Sequence, residues 1–188
     1  MKQWNIQRLV FDALLIALTA ALGEAAIEMG VFKLTFENLP IIIGALMFGP
    51  LDGFIIGVLG IFFRQLFRFG LDATTVLWIL PYAISGLFVG LFSKKLAIGR
   101  ISWKNLGKEA IWIVLLMIAN CAMVTLINTG SLYISYKYVW FMPTAPLFAS
   151  LPMKLGIGVG RAVVYAIIAP ALIQGLAQAK VFRTVKSK

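Results

Sequence analysis

Long uncharged apolar runs follow one another along the chain, parted by short clusters of Gly, Pro, Asn, Asp and charged residues, and no run alternates with polar residues at period two. Such runs predict helices that satisfy their own backbone hydrogen bonds in lipid, not the strands of a barrel. The densest part is Phe32 to Phe92, FKLTFENLPIIIGALMFGPLDGFIIGVLGIFFRQLFRFGLDATTVLWILPYAISGLFVGLF. FENLP leads into it, GPLDG divides its first half and RQLFRFGLDATT interrupts it again. Turn residues at those cuts mark helices folding back through a bilayer.

Six spans are expected, with the whole chain 1–188 as one transmembrane domain. They run from Leu9 to about Ile27, Leu39 to Phe48, Gly53 to Phe67, Thr74 to Phe92, Glu109 to about Asn128, and about Leu151 to Leu176. The second is too short to cross ~30 Å of hydrocarbon unless it extends back through Phe36 or tilts. Pro81 is expected to kink the fourth. Met29 to Asn38 and Thr129 to Ser150 are expected as connections. In the first span Ala13, Ala17, Ala21 and Ala25 recur every fourth residue, a small-residue stripe that lets another helix approach closely. Packing within the chain and an external helical partner both explain such a stripe.

Composition agrees with an all-α integral membrane protein: 61% of residues are hydrophobic and only 13% are charged, with a mean hydropathy of +0.95. Soluble domains lie near ~45–50% apolar and ~25% charged. The net charge of +10 comes from 17 basic residues, most of them at helix ends and in one loop. Lys2 and Arg8 precede the first span, Lys94, Lys95, Arg100, Lys104 and Lys108 fill the loop from Ser93, and Lys180, Arg183, Lys186 and Lys188 form a tail. The positive-inside bias then places both termini and that loop in the cytoplasm. No basic, aromatic-interleaved soluble face is present, so nucleic-acid binding is not expected. A lone cysteine, Cys121, and the absence of histidine exclude an intrachain disulfide, cysteine metal clusters, His-assisted nucleophiles and His-ligated metals. No cofactor is expected, and a cleaved signal peptide is not expected either.

This topology sorts the remaining charges. Glu24, Glu28, Lys33, Glu37, Arg64, Arg68, Asp72, Lys137 and Lys154 fall toward the outer side, and Arg161 lies well inside the sixth span. A charge at that depth costs at least ~2.5–3.5 kcal/mol unless it is paired or faces water. Arg64 and Arg68 share a helix face, and with Arg161 they build an outward cationic pocket suited to a carboxylate or phosphate. Snorkelling of the arginines, or pairing with Glu24, Glu28 and Asp72, is the purely structural alternative. Trp78 and Tyr82 are candidates for stacking on a planar ligand, while Trp140 fits an interfacial belt. Asn120 and Asn128, nearly on one face of the fifth span, either hydrogen-bond a ligand or bridge helices. Glu37 and Asn38 complete the candidate substrate-binding set.

At these residues the chain resembles the substrate-binding S-component of an energy-coupling factor (ECF) vitamin transporter. FKLTFENLPIIIGALMFGPLDGFIIGVLGIFFRQLF and TTVLWILPYAISGLFVGLF are similar to the folate-type branch, with its LPI…FGP…G pattern and …SGL..GLF helix. The resemblance covers Leu9 to Phe92 closely and the C-terminal half by topology; the sixth span, PMKLGIGVGRAVVYAIIAP, departs from the folate pattern. It implies a subunit of an ABC-type importer in the bacterial plasma membrane that captures a B-type vitamin from outside. Delivery follows by toppling against a transmembrane coupling subunit driven by two ATPase subunits. The AxxxA docking motif of that family maps onto Ala13 and Ala17, with Ala21 in register. The chain has no GxxxxGK[ST] loop, so ATP hydrolysis is expected in partners and the chain is not expected to be an enzyme.

Basic residues favour an anionic vitamin, pantothenate or folate, whereas Glu24, Glu28, Glu37 and Asp72 leave open pyridoxine, hydroxymethylpyrimidine or thiamine. A passive channel or membrane scaffold is the alternative of another class. A channel calls for polar residues along a whole pore, yet here they gather toward one side.

Overall fold

A computed structural model describes residues 6–25, 27–29, 32–96 and 106–178. Its helices are α1 (Ile6–Glu24), α2 (Asn38–Phe48), α3 (Pro50–Arg68), α4 (Thr75–Leu96), α5 (Leu106–Ile134), α6 (Ala145–Ala149) and α7 (Leu151–Gln178). The body is all-helical as expected. One addition lies in the first connection, where β1 (Ile27–Met29) pairs antiparallel with β2 (Phe32–Leu34) in a small hairpin, Glu28 opposite Lys33.

Among the described residues five helices are long and apolar enough to cross a membrane, namely α1, α3, most of α4, α5 from Ile111 with its continuation to Val139, and most of α7. Helix α2, with 11 residues, rises only about 16 Å, roughly half the hydrocarbon thickness. It is apolar on every side, and a helix apolar all round belongs in the interior. There it packs against α1, α3, α4 and α7, burying Ile41, Ile42, Ile43 and Ala45. The surrounding helices keep Leu14, Leu18, Phe67, Val76, Trp112 and Ile167 exposed on their outer faces, as lipid contact requires.

Helices α1 and α3 run in the same direction: Arg8 meets Asp52 at their starts, and Arg68 comes within 3.8 Å of Glu24 at their ends. Glycine allows α3 to lie directly on α4. A methyl group at Gly57 would stand 2.7 Å from the Tyr82 carbonyl oxygen, so the two backbones touch there. Pro81 lies inside α4 without ending it.

The expected loop from Thr129 is instead helical. α5 runs on to Ile134 and continues as π-helix over Ser135–Val139, and α6 follows before α7. Hydroxyls along this stretch point back into the helix, Thr129 Oγ1 donating to the Thr125 carbonyl at 2.8 Å and Ser135 Oγ to that of Ser131 at 2.9 Å. Polar residues that bond their own helix this way need no loop. Lys2, residues 97–105 of the basic loop and the basic tail lie outside the described residues.

Candidate functional site

Because α2 starts only at Asn38, the segment leading into it carries Glu37 to the helix N-terminus inside the body, where the backbone dipole favours a negative charge. Glu37 is only 2% exposed. Arg64, near the end of α3, sets its Nη1 2.6 Å from Glu37 Oε2. The Tyr82 hydroxyl of α4 donates to Oε1, and Thr35 Oγ1 donates to the same oxygen at 3.0 Å. The Tyr165 hydroxyl of α7 donates to the Thr35 carbonyl at 3.3 Å, and its ring meets Phe36 edge-on with centroids 6.3 Å apart. The carboxylate is thus held from α3, α4 and the link before α2, and α7 steadies that link through Tyr165. Helix α1 backs the pair through Gly23, where a methyl group would lie 2.8 Å from Glu37 Oε2 and 2.9 Å from Arg64 Nε.

A cavity of about 380 Å³ adjoins this pair. Helix α7 lines it with Lys154, Ile157 and Arg161, three residues on one face, and α5 with Thr125, Asn128 and Leu132. Tyr136 reaches it from the π-helical turn, and Pro146, Leu147 and Ser150 close it from α6 and the residue after it. Trp78 and Tyr82 of α4 face it from the other side. The charged lining is one acid, Glu37, against three bases, Arg64, Lys154 and Arg161. Among the described residues neither Lys154 nor Arg161 makes an ion pair. Asn128 Oδ1 and Arg161 Nε are buried and without a hydrogen-bond partner.

Of the candidate residues, Glu37, Arg64, Trp78, Tyr82, Asn128 and Arg161 come together at this cavity. Arg68 lies outside it, at the end of α3, near Glu24 and 5.4 Å from the Phe69 ring centroid. Asn38 and Asn120 are buried among the helices and do not line the cavity; Ser85 Oγ stands 3.0 Å from the amide oxygen of each, so the three tie α2, α4 and α5 together. Ala13, Ala17 and Ala21 are exposed along the outer face of α1. Sequence reasoning did not single out Thr35, Tyr136 or Ser150. Thr35, two residues before a buried glutamate, carried a weak signal; Tyr136 depends on the π-helical register and carried none.

Asp72 lies in the turn before α4 and is exposed. Burial pushes its carboxyl up slightly, but hydrogen bonds from Thr74 and Thr75 outweigh this and hold it below the usual carboxylate value.

No curated protein matches this sequence. The fold matches the crystal structure of the S-component for biotin from an ECF-type ABC transporter with a TM-score of 0.65, 19% identity and 92% of each chain covered, a likeness that speaks for the fold alone. Over residues 7–185 the sequence matches the family described as "ECF transporter, substrate-specific component", and to that family the chain belongs.

Proposed function

We propose that the cavity between α4, α5 and α7 is the vitamin site of this substrate-specific component, open to ligand from outside the cell, and that the vitamin it takes is an acid. The observation that carries this reading is the lining of three bases against one acid, the acid being already paired with Arg64. A thiamine-like cation would meet no free carboxylate there among the described lining residues. The volume of about 380 Å³ lies toward the small end of the ~300–1,000 Å³ typical of ligand sites. That size favours a compact acid such as pantothenate, or biotin as in the structural neighbour, over the longer folate, although the first half of the chain resembles the folate-type branch.

In this reading α2 completes a sixth crossing together with the hairpin, both termini are cytoplasmic, and the protein sits in a bacterial plasma membrane. The exposed stripe of Ala13, Ala17 and Ala21 receives the transmembrane coupling subunit, and two partner ATPases supply the energy. Small exposed residues allow the close helix contact such docking needs.

The test is mass spectrometry of small molecules released from the purified protein, followed by titration with a vitamin panel. One tightly bound acidic vitamin supports the proposal. A protein that binds no vitamin, and does not copurify with a coupling subunit and ATPases, returns the chain to a channel or scaffold role.

A further inference from the structure

We infer that the acidic group of the ligand is seated by Arg161 with help from Lys154, that Arg64 is not available to it, and that the same ligand offers an N–H or O–H group to Asn128. This deepens the proposed function and rests on its placement of the site.

Arg64 looks like the natural anion receptor from sequence, yet its guanidinium is committed. It lies 2.6 Å from a carboxylate whose other oxygen is taken by Tyr82 and Thr35. Turning Arg64 toward a ligand would take the cation away from that carboxylate, which is 2% exposed, and breaking a buried pair in this way is costly. Arg161 is in the opposite situation. It sits in the first half of α7 and lines the same cavity. The side chains influenced by its charge include Tyr82, Cys121 and Tyr165, and among the described residues it makes no ion pair. Its buried Nε has no hydrogen-bond partner, a state the Nε of Arg64 shares, so the contrast between the two arginines rests on the ion pair to Glu37. Arginine stays charged at any accessible pH, so a guanidinium that lines the cavity of a membrane helix without an ion pair among the described residues marks a place where an anion is received. Its planar fork matches the two oxygens of a carboxylate.

Lys154 stands two turns closer to the start of α7 on the same face, without an ion pair among the described residues. It is placed to draw the acid in and to meet its outer oxygen. Asn128 faces the cavity from α5 with a buried amide oxygen that accepts nothing. An acceptor in that state discriminates for a ligand carrying a donor, because an analogue lacking it leaves the oxygen unsatisfied. The ligand class is therefore a small organic acid with a hydrogen-bond donor away from its acidic group.

The test uses the intact protein in nanodiscs of uncharged lipid and calorimetric titration with matched probes. These are biotin against its primary amide, and pantothenate against the corresponding alcohol. The expected result is that at least one acid binds and its neutral partner binds roughly 10- to 100-fold more weakly, the range for losing a charge-assisted hydrogen bond. Arg161→Gln should erase that preference, Arg161→Lys should keep part of it, and Lys154→Gln should reduce it less. Asn128→Leu should weaken acid and neutral probe alike. Equal binding of acid and neutral partner by the native protein overturns the inference even if Arg161→Gln fails to fold. So does an acid preference that survives Arg161→Gln. Tight binding of a neutral or cationic vitamin alone overturns the inference while leaving the vitamin site standing, and failure of every vitamin to bind removes both.

Discussion

Two buried ion pairs occupy opposite ends of the parallel helices α1 and α3, and only one of them lines the cavity. At the helix starts, Arg8 Nε donates to Asp52 Oδ1 at 3.0 Å, and its guanidinium lies 5.6 Å from the Phe48 ring centroid. Asp12, 4% exposed, lies beside them, so among the described residues this cluster sets two carboxyls against one guanidinium. At the other end, Glu37 faces Arg64, with Arg161 and Lys154 nearby, so base exceeds acid. The two surpluses are not equivalent. A buried surplus carboxyl can be neutralised by a proton, whereas a guanidinium keeps its charge and needs an anion. The base-rich end is the one that calls for a ligand.

The sharpest way to break this comparison is Arg64→Met, which leaves Glu37 buried and unpaired. A loss of roughly 3–5 kcal/mol is expected in a denaturing-detergent titration, and adding Glu37→Gln should restore much of it. A single variant as stable as the native protein would show that Glu37 does not depend on Arg64. Gly23→Ala probes the same pair sterically, since the added methyl falls on Glu37 Oε2 and Arg64 Nε. About 1–3 kcal/mol should be lost by the same titration, and no loss would mean that the pair has room to move.

At the opposite end, Arg8→Met should cost less than Arg64→Met, about 1–2 kcal/mol, because the two remaining carboxyls can share a proton. An equal or larger loss would erase the contrast between the ends. The smallest effect is expected outside the membrane, at Asp72. Its carboxyl is held below its ordinary value, so the stability it contributes is present above about pH 4 and disappears as pH falls through its lowered value. Solvent screening keeps the amount well under 1 kcal/mol. Asp72→Asn should therefore lower thermal stability slightly at pH 7 and not at all near pH 2; a deficit that persisted in acid would assign the effect to lost geometry rather than charge.

Much of the architecture was legible because hydropathy is a local property. Runs without charges become membrane-length helices in any arrangement, whereas the Leu39–Phe48 stretch, expected as a short span, proved to be a buried interior helix, because its depth depends on the helices packed around it. The limits of the sequence appear at residues whose role depends on what approaches them. Arg64 and Arg68 are equivalent by spacing, yet one is buried against Glu37 and the other sits at the helix end near Glu24. Asn120 and Asn128 share nearly one face, yet a slight rotation puts the first among helices and the second in the cavity wall.

By itself the sequence determined the membrane class, most of the long helices and the family, because burial in lipid and backbone self-satisfaction are dictated residue by residue along the chain. Tertiary structure alone decided which charges cancel. The partner of Glu37 comes from a different helix, and the freedom of Arg161 follows only from Arg64 being occupied; such pairing rests on distances of a few ångströms between elements, which no linear pattern encodes.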